Sequence, residues 1–170
     1  MAEEIQIPLR LWPQRTNNAN AAWDQLTQTN NNHQAAGWRC RDAEIADINA
    51  ALSRPIPADI HGTPAGKIRL HWLTDSASGN NCKWFVFCSD IAYNVTSVDP
   101  ASWDDSISVI DANNGQYIEN ECDVSIATST LTSGRGLRLL IRRNATAGET
   151  QDTLAADVLL TEAIFIANKA

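Results

Sequence analysis

Residues 67 to 73, KIRLHWL, alternate without a break: Ile68, Leu70 and Trp72 fall on one side, and Lys67, Arg69 and His71 on the other. Successive side chains of a strand point to opposite faces, so this period specifies a half-buried strand. The turn-forming stretch TDSASGNN follows, and then CKWFVFCSDIAY, dense in the aromatic and branched residues that strands favour. The two segments are expected to pair as a β-hairpin. In the second, Cys82, Trp84, Val86 and Cys88 share one face while Phe85 and Phe87 share the other. Both faces are apolar, so each needs a cover.

Further strand-like segments recur at 106 to 110, 121 to 130, 136 to 143 and 157 to 167, separated by the turn formers DANNGQ, TSG and NATAGETQD. Short strands at such intervals predict an all-β fold, an antiparallel sandwich or barrel, rather than βαβ units. The first third is less regular. IQIPLRLW fits a strand, with Pro8 marking an edge or an irregular entry. An Asn-, Gln- and Thr-rich stretch follows, with a short strand expected near 21 to 27. Residues 42 to 53 admit two readings: Ile45, Ile48 and Leu52 have helical spacing behind an Asp42 cap, but a strand fits equally. The organisation expected is an N-terminal segment, 1 to 40, serving as an arm or as the first strands, and a β-sandwich domain over 41 to 170.

The 170 residues fit one domain. With 20 acidic against 13 basic residues and no basic run, the chain has no electrostatic footprint for nucleic acid. No apolar run reaches the roughly 18 residues of a spanning helix, and the start MAEEIQIPLRLW lacks the plan of a signal peptide, so use without secretion and away from membranes is expected. The four cysteines, at 40, 82, 88 and 122, form no CxxC pair. On one strand Cys82 and Cys88 would stand about 20 Å apart, well beyond disulfide reach. They are expected to be reduced and buried.

The sequence offers neither a catalytic set nor a metal or cofactor site. His33, His61 and His71 are isolated. Glu149, Asp152 and Asp157 lack the spacing of a calcium loop and are expected to satisfy local backbone groups. There is no GxSxG, and SGRG at 133 to 136 is only a turn. Asp104, Asp105, Glu119 and Glu121 offer carboxylates for glycoside hydrolysis, but nothing in the sequence pairs them. Two Asn-X-Thr sequons begin at Asn94 and Asn144. The chain is therefore read as non-enzymatic. Of six tryptophans, Trp72 and Trp84 belong to the core, while Trp12, Trp23, Trp38 and Trp103 lie near strand ends or loops, as exposed anchors or partly buried caps. Trp12, Trp23, Trp38, Phe85 and Phe87 are the residues assigned to an interface.

Two stretches carry a resemblance over roughly residues 55 to 167. One is the hairpin-like series with Trp72, Gly79 and Trp84. The other is the terminal series with Leu137, Leu139, Arg142 or Arg143, Ala145, Gly148, Asp152, Thr153, Asp157, Val158 and Leu160. Together they resemble small β-sandwich structural proteins of tailed bacteriophages, of the capsid decoration (cement) or fibre type. The resemblance implies a jelly-roll-like sandwich that binds the major capsid protein on the virion exterior as a trimer, after assembly in the host cytoplasm. The alternative is a carbohydrate- or receptor-binding module of a phage tail or head fibre.

Overall fold

The computed structural model describes residues 4–13, 21–27, 34–58, 60, 66–94, 102–127 and 131–168. Among these residues there is no helix. The described residues form ten strands: β1 (Glu4–Pro13), β2 (Ala21–Thr27), β3 (Gln34–Cys40), β4 (Ile45–Leu52), β5 (Gly66–Thr74), β6 (Asn81–Ile91), β7 (Asp105–Ala112), β8 (Asn120–Ile126), β9 (Gly136–Asn144) and β10 (Val158–Asn168). All pairings are antiparallel. The first sheet runs β2-β3-β10-β5-β8, and the second runs β1-β4-β9-β6-β7. β1 belongs to both: Glu4 to Pro8 pair with β10, and Leu9 to Pro13 pair with β4. Pro8, which has no N–H to give a ladder, stands where the chain changes sheets. The result is an antiparallel, jelly-roll-like β-sandwich.

The expected hairpin between KIRLHWL and CKWFVFC does not form. β5 pairs with β10 and β8, whereas β6 pairs with β7 and β9 in the facing sheet. Two demands decide this. Trp72 and Trp84 are both fully buried, and facing sheets bring their rings together across the core, with centroids 6.5 Å apart. The charged face of β5 also finds its counterions on β8, where Asp123 takes Lys67 at 2.7 Å and Arg69 at 2.8 Å. The link from 75 to 80 is an arch rather than a turn. Ser76, Ser78 and Asn80 each donate their N–H to the side-chain oxygen two residues earlier, and the Asn113 amide donates to the carbonyls of Ser76 and Ser78.

The open reading over 42 to 53 resolves to a strand. Ala46, Ile48 and Ala50 point into the core in alternation, and the structure makes no use of the helical spacing of Ile45, Ile48 and Leu52. The N-terminal segments IQIPLRLW and 21 to 27 are strands of the two sheets. The strongest buried polar feature sits at one end of the core. Arg143, fully buried, donates five hydrogen bonds: two to Asp152, and one each to the carbonyls of Cys40, Leu154 and Ala156. Every one of its N–H directions toward the loop is used, which is the condition under which a buried charge is tolerated.

Candidate functional site

Alternation along the five strands of the second sheet places a mixed aromatic, polar and charged set on its outer face. In register across the sheet run Trp12, Asn49, Leu140, Phe87 and Ser106. One step along lie Asp47, Arg142, Phe85 and Ser108, and one step the other way lie Arg10, Ala51, Arg138 and Ser89. Trp12, Phe85, Phe87 and Trp103 are all partly exposed. Phe85 stacks on Phe87 with centroids 6.5 Å apart and planes 12° apart, and Trp103, from the loop before β7, leans on Phe87 at 6.3 Å.

Cations lie over these rings. Arg142 sits 5.3 Å from the Phe87 centroid while its Nε and Nη2 hold the Asp47 carboxylate at 2.6 and 2.8 Å. That bidentate bond to Asp47 is the main reason the Arg142 guanidinium holds its proton more tightly than usual, against the cost of burial. Lys83 lies 4.6 Å over Phe85, and Arg138 lies 5.3 Å over Trp12. Beside Arg138 the face dips into a pocket of about 210 Å³, walled by Ala51, Ile91, Tyr93, Asn94 and Gly136. Tyr93 is 56% exposed and forms the rim. Gly136 lines the pocket opposite the Tyr93 hydroxyl, which a Cβ there would meet at 3.4 Å, an ordinary contact distance.

Of the five residues assigned to an interface from sequence, three meet on this face: Trp12, Phe85 and Phe87. Trp23 and Trp38 do not join them. They pair edge-on at 5.6 Å in the β2–β3 ladder at the far edge of the first sheet, where Trp23 is 60% exposed. Sequence reasoning singled out neither Arg138 nor Tyr93 nor Asn49. The period-2 pattern of β9, which sets residues 138, 140 and 142 on one face, was the available signal.

The acidic loop before β10 is structural. Asp152 holds Arg143 and accepts the Lys83 backbone N–H, Asp157 accepts that of Asp42, and Glu149 takes the Lys83 ammonium at 3.0 Å. The Gln151 N–H first, and then Lys83, keep Glu149 below the usual carboxylate range. The four carboxylates considered for hydrolysis are divided between two places in the fold. Asp105 clasps the Ala127 N–H at the β7–β8 corner, while Glu119 and Glu121 flank His71 at 3.8 and 3.9 Å on the first sheet. Among the described residues, no group of His, Cys, Asp and Glu is arranged to hold a metal ion. His33, His61 and part of the Asn94 sequon lie outside the described residues. In the other sequon, Asn144 caps its own turn by accepting from Thr146. All four cysteines are free and buried, and burial pushes the thiols of Cys40, Cys88 and Cys122 up to about 12.

No protein-family model matches the sequence, and no curated protein matches it. Among solved structures, the chain is similar to the module TmCBM61 in complex with β-1,4-galactotriose (12% identity, 95% of this chain, 89% of that one, TM-score 0.46). It is also similar to the CBM22-1 xylan-binding domain of Paenibacillus barcinonensis Xyn10C (10%, 99% and 97%, TM-score 0.47). A third is TmCBM27, a carbohydrate-binding module described for specific mannan recognition (6%, 98% and 99%, TM-score 0.46). With identities of 12% or less and TM-scores below 0.5, these likenesses assign no ligand to this chain.

Proposed function

We propose that this chain is a non-catalytic carbohydrate-binding module whose binding surface is the outer face of the second sheet. The observation that carries the reading is the row of partly exposed rings, Trp12, Phe87 and Trp103, interleaved with Asn49, Arg138 and Arg142 beside a small pocket. A sugar ring has apolar C–H faces and a hydroxyl rim. It needs flat apolar platforms and fixed donors and acceptors around them, which are the two components this face supplies. The rings stand on β1 and β6 and in the loop leading to β7, so the sandwich holds them in position before any ligand arrives.

Affinity electrophoresis and calorimetry of the full chain against a panel of soluble neutral and acidic polysaccharides test this. Binding to at least one polymer, lost in the Trp12→Ala/Phe87→Ala double variant with an unchanged unfolding midpoint, is the expected result. Failure to bind any polymer, or binding that ignores the double variant, would reject it.

A second reading rests on the same residues. Arginine-stacked tryptophan and phenylalanine around the apolar Leu140 are also the residue types that anchor protein interfaces. A virion structural protein seated on the major capsid protein as a trimer, at the capsid exterior, would use them so. Hundreds of copies per purified particle and trimeric sedimentation would favour that reading; a monomer absent from particles would remove it.

A further inference from the structure

The pocket beside Trp12 has an unmatched positive charge. Among the described residues Arg138 makes neither a hydrogen bond nor an ion pair, and its Nε is buried without a partner. Arg39, Lys67, Arg69, Lys83, Arg135, Arg142 and Arg143 all have carboxylate partners, and the other described cations without one, Arg10, Arg41 and Arg54, are exposed, whereas Arg138 is partly buried. The carboxylates borne by the adjoining strands are already engaged: Asp47 of β4 by Arg142, and Asp90 of β6 by Arg135. On the other side of Arg138, across the small residue Ala51, β1 presents Arg10, which is exposed and also has no acidic partner among the described residues.

Two cations flanking an alanine, next to an aromatic platform and a pocket, make a site for a planar anion. A guanidinium presents parallel N–H donors that match a carboxylate in a bidentate bond, and a buried Nε without an acceptor is a donor awaiting one. The Arg138 guanidinium already rests over the Trp12 ring, 5.3 Å from its centroid. At about 210 Å³ the pocket is below the roughly 300–1,000 Å³ typical of drug-sized ligands, a size for one monosaccharide unit. Ile91, Tyr93 and the bare backbone of Gly136 provide its apolar walls and rim.

We infer that the ligand is an acidic saccharide, with a uronate residue seated in the Gly136 and Tyr93 pocket and its carboxylate held by Arg138 with help from Arg10. This rests on the carbohydrate-binding reading and specifies the substrate class within it.

The test uses the full chain and matched polymers: polygalacturonate, alginate and hyaluronate, with methyl-esterified polygalacturonate as the uncharged counterpart, and neutral galactan, xylan and mannan as a separate arm. Retardation by at least one uronate polymer is expected, with affinity falling about tenfold or more in Arg138→Gln and weakening as salt is raised. For polygalacturonate, esterification should reproduce the loss without any change to the protein. Arg138→Lys, which keeps the charge but loses the fork, should bind between the two. Arg138 lies on the outer face, so its variants should unfold at the wild-type temperature.

Equal binding of polygalacturonate and its ester would overturn the acidic assignment and leave the module reading intact. Binding only to neutral polymers would do the same. Binding to none of the polymers would remove the inference and the reading together.

Discussion

Arg143 and Arg138 leave the same strand on opposite faces and have opposite surroundings. Arg143 enters the core and is enclosed by Asp152 and three carbonyls, so that all of its donors are committed to holding the 145–157 loop against β3 and β9. Arg138 emerges on the second sheet, lies on Trp12, and has a donor that the described residues leave unmet. The same side chain is a structural clamp in one place and is left without an acceptor in the other. What separates them is whether the fold itself supplies the acceptors. A fully satisfied arginine has nothing left to offer a ligand, and one left unsatisfied at a pocket is poised to recognise one.

The largest effect expected from this contrast is on stability. Arg143→Met leaves the Asp152 carboxylate buried and uncompensated, which costs about 3–5 kcal/mol. At about 2–4 °C per kcal/mol for a chain of this size, the unfolding midpoint should fall by roughly 10 °C. Asp152→Asn should do nearly as much, whereas Arg138→Gln should stay within about 0.5 kcal/mol of wild type. Calorimetry of the three variants would break the comparison if Arg138→Gln were the most destabilised.

The next effect is on ligand affinity. Trp12→Ala removes the platform over which Arg138 rests, and should weaken polysaccharide binding about tenfold while leaving the midpoint within a few degrees. Trp23→Ala, at the other sheet's edge, should leave binding unchanged. A loss of affinity in Trp23→Ala as large as in Trp12→Ala would relocate the site.

A smaller effect uses the cysteines as reporters. In the native state all four thiols should react slowly, because they are buried and burial raises their pKa. After denaturation without reductant, all four should label. Arg143→Met should speed native-state labelling of Cys40, whose carbonyl Arg143 holds, and Arg138→Gln should not. Mass spectrometry of the labelled protein reads both.

The smallest effect is the response to acid. Asp123 is held below the usual carboxylate range, first by its hydrogen bond to Arg69 and then by Lys67; Glu149 is held low by Gln151 and Lys83. A depressed carboxylate contributes stability that is complete above its unfolded value and lost as pH falls through its lower folded value. The midpoint should therefore decline below pH 4, and Asp123→Asn should flatten part of that decline. An unchanged slope in Asp123→Asn would remove Asp123 from the account.

The sequence made the alternating elements legible wherever polar and apolar residues contrast strongly. β5 and β8 carry charged outer faces over apolar inner ones; β5 was located closely, while β8, expected over 121 to 130, begins where expected but ends at Ile126. β4 was ambiguous because its inward residues include the small Ala46 and Ala50, which contrast weakly with their neighbours, while Ile45, Ile48 and Leu52 chance upon helical spacing. The placement of β5 and β6 in facing sheets was out of reach for a different reason. Proximity in sequence favours a hairpin, and only the distant partners β8 and β9 reveal the stronger alternative.

The site was half legible. Phe85, Phe87 and Trp12 stand out as large apolar residues with nowhere local to go. That Trp23 and Trp38 belong elsewhere depends on the order of strands within each sheet, which no local pattern encodes. Arg138 was missed because a strand with three arginines gives no local sign of which one the fold leaves without an acceptor.

The most direct test of the proposed site is an NMR titration of the full chain with uronate oligosaccharides, following the six tryptophan indole N–H signals. The account predicts that Trp12 and Trp103 move first, together with backbone amides at 49–51, 91–94 and 136–138, while Trp72 and Trp84 in the core stay still. Shifts confined to Trp23 and Trp38, with Trp12 unmoved at saturation, would contradict it.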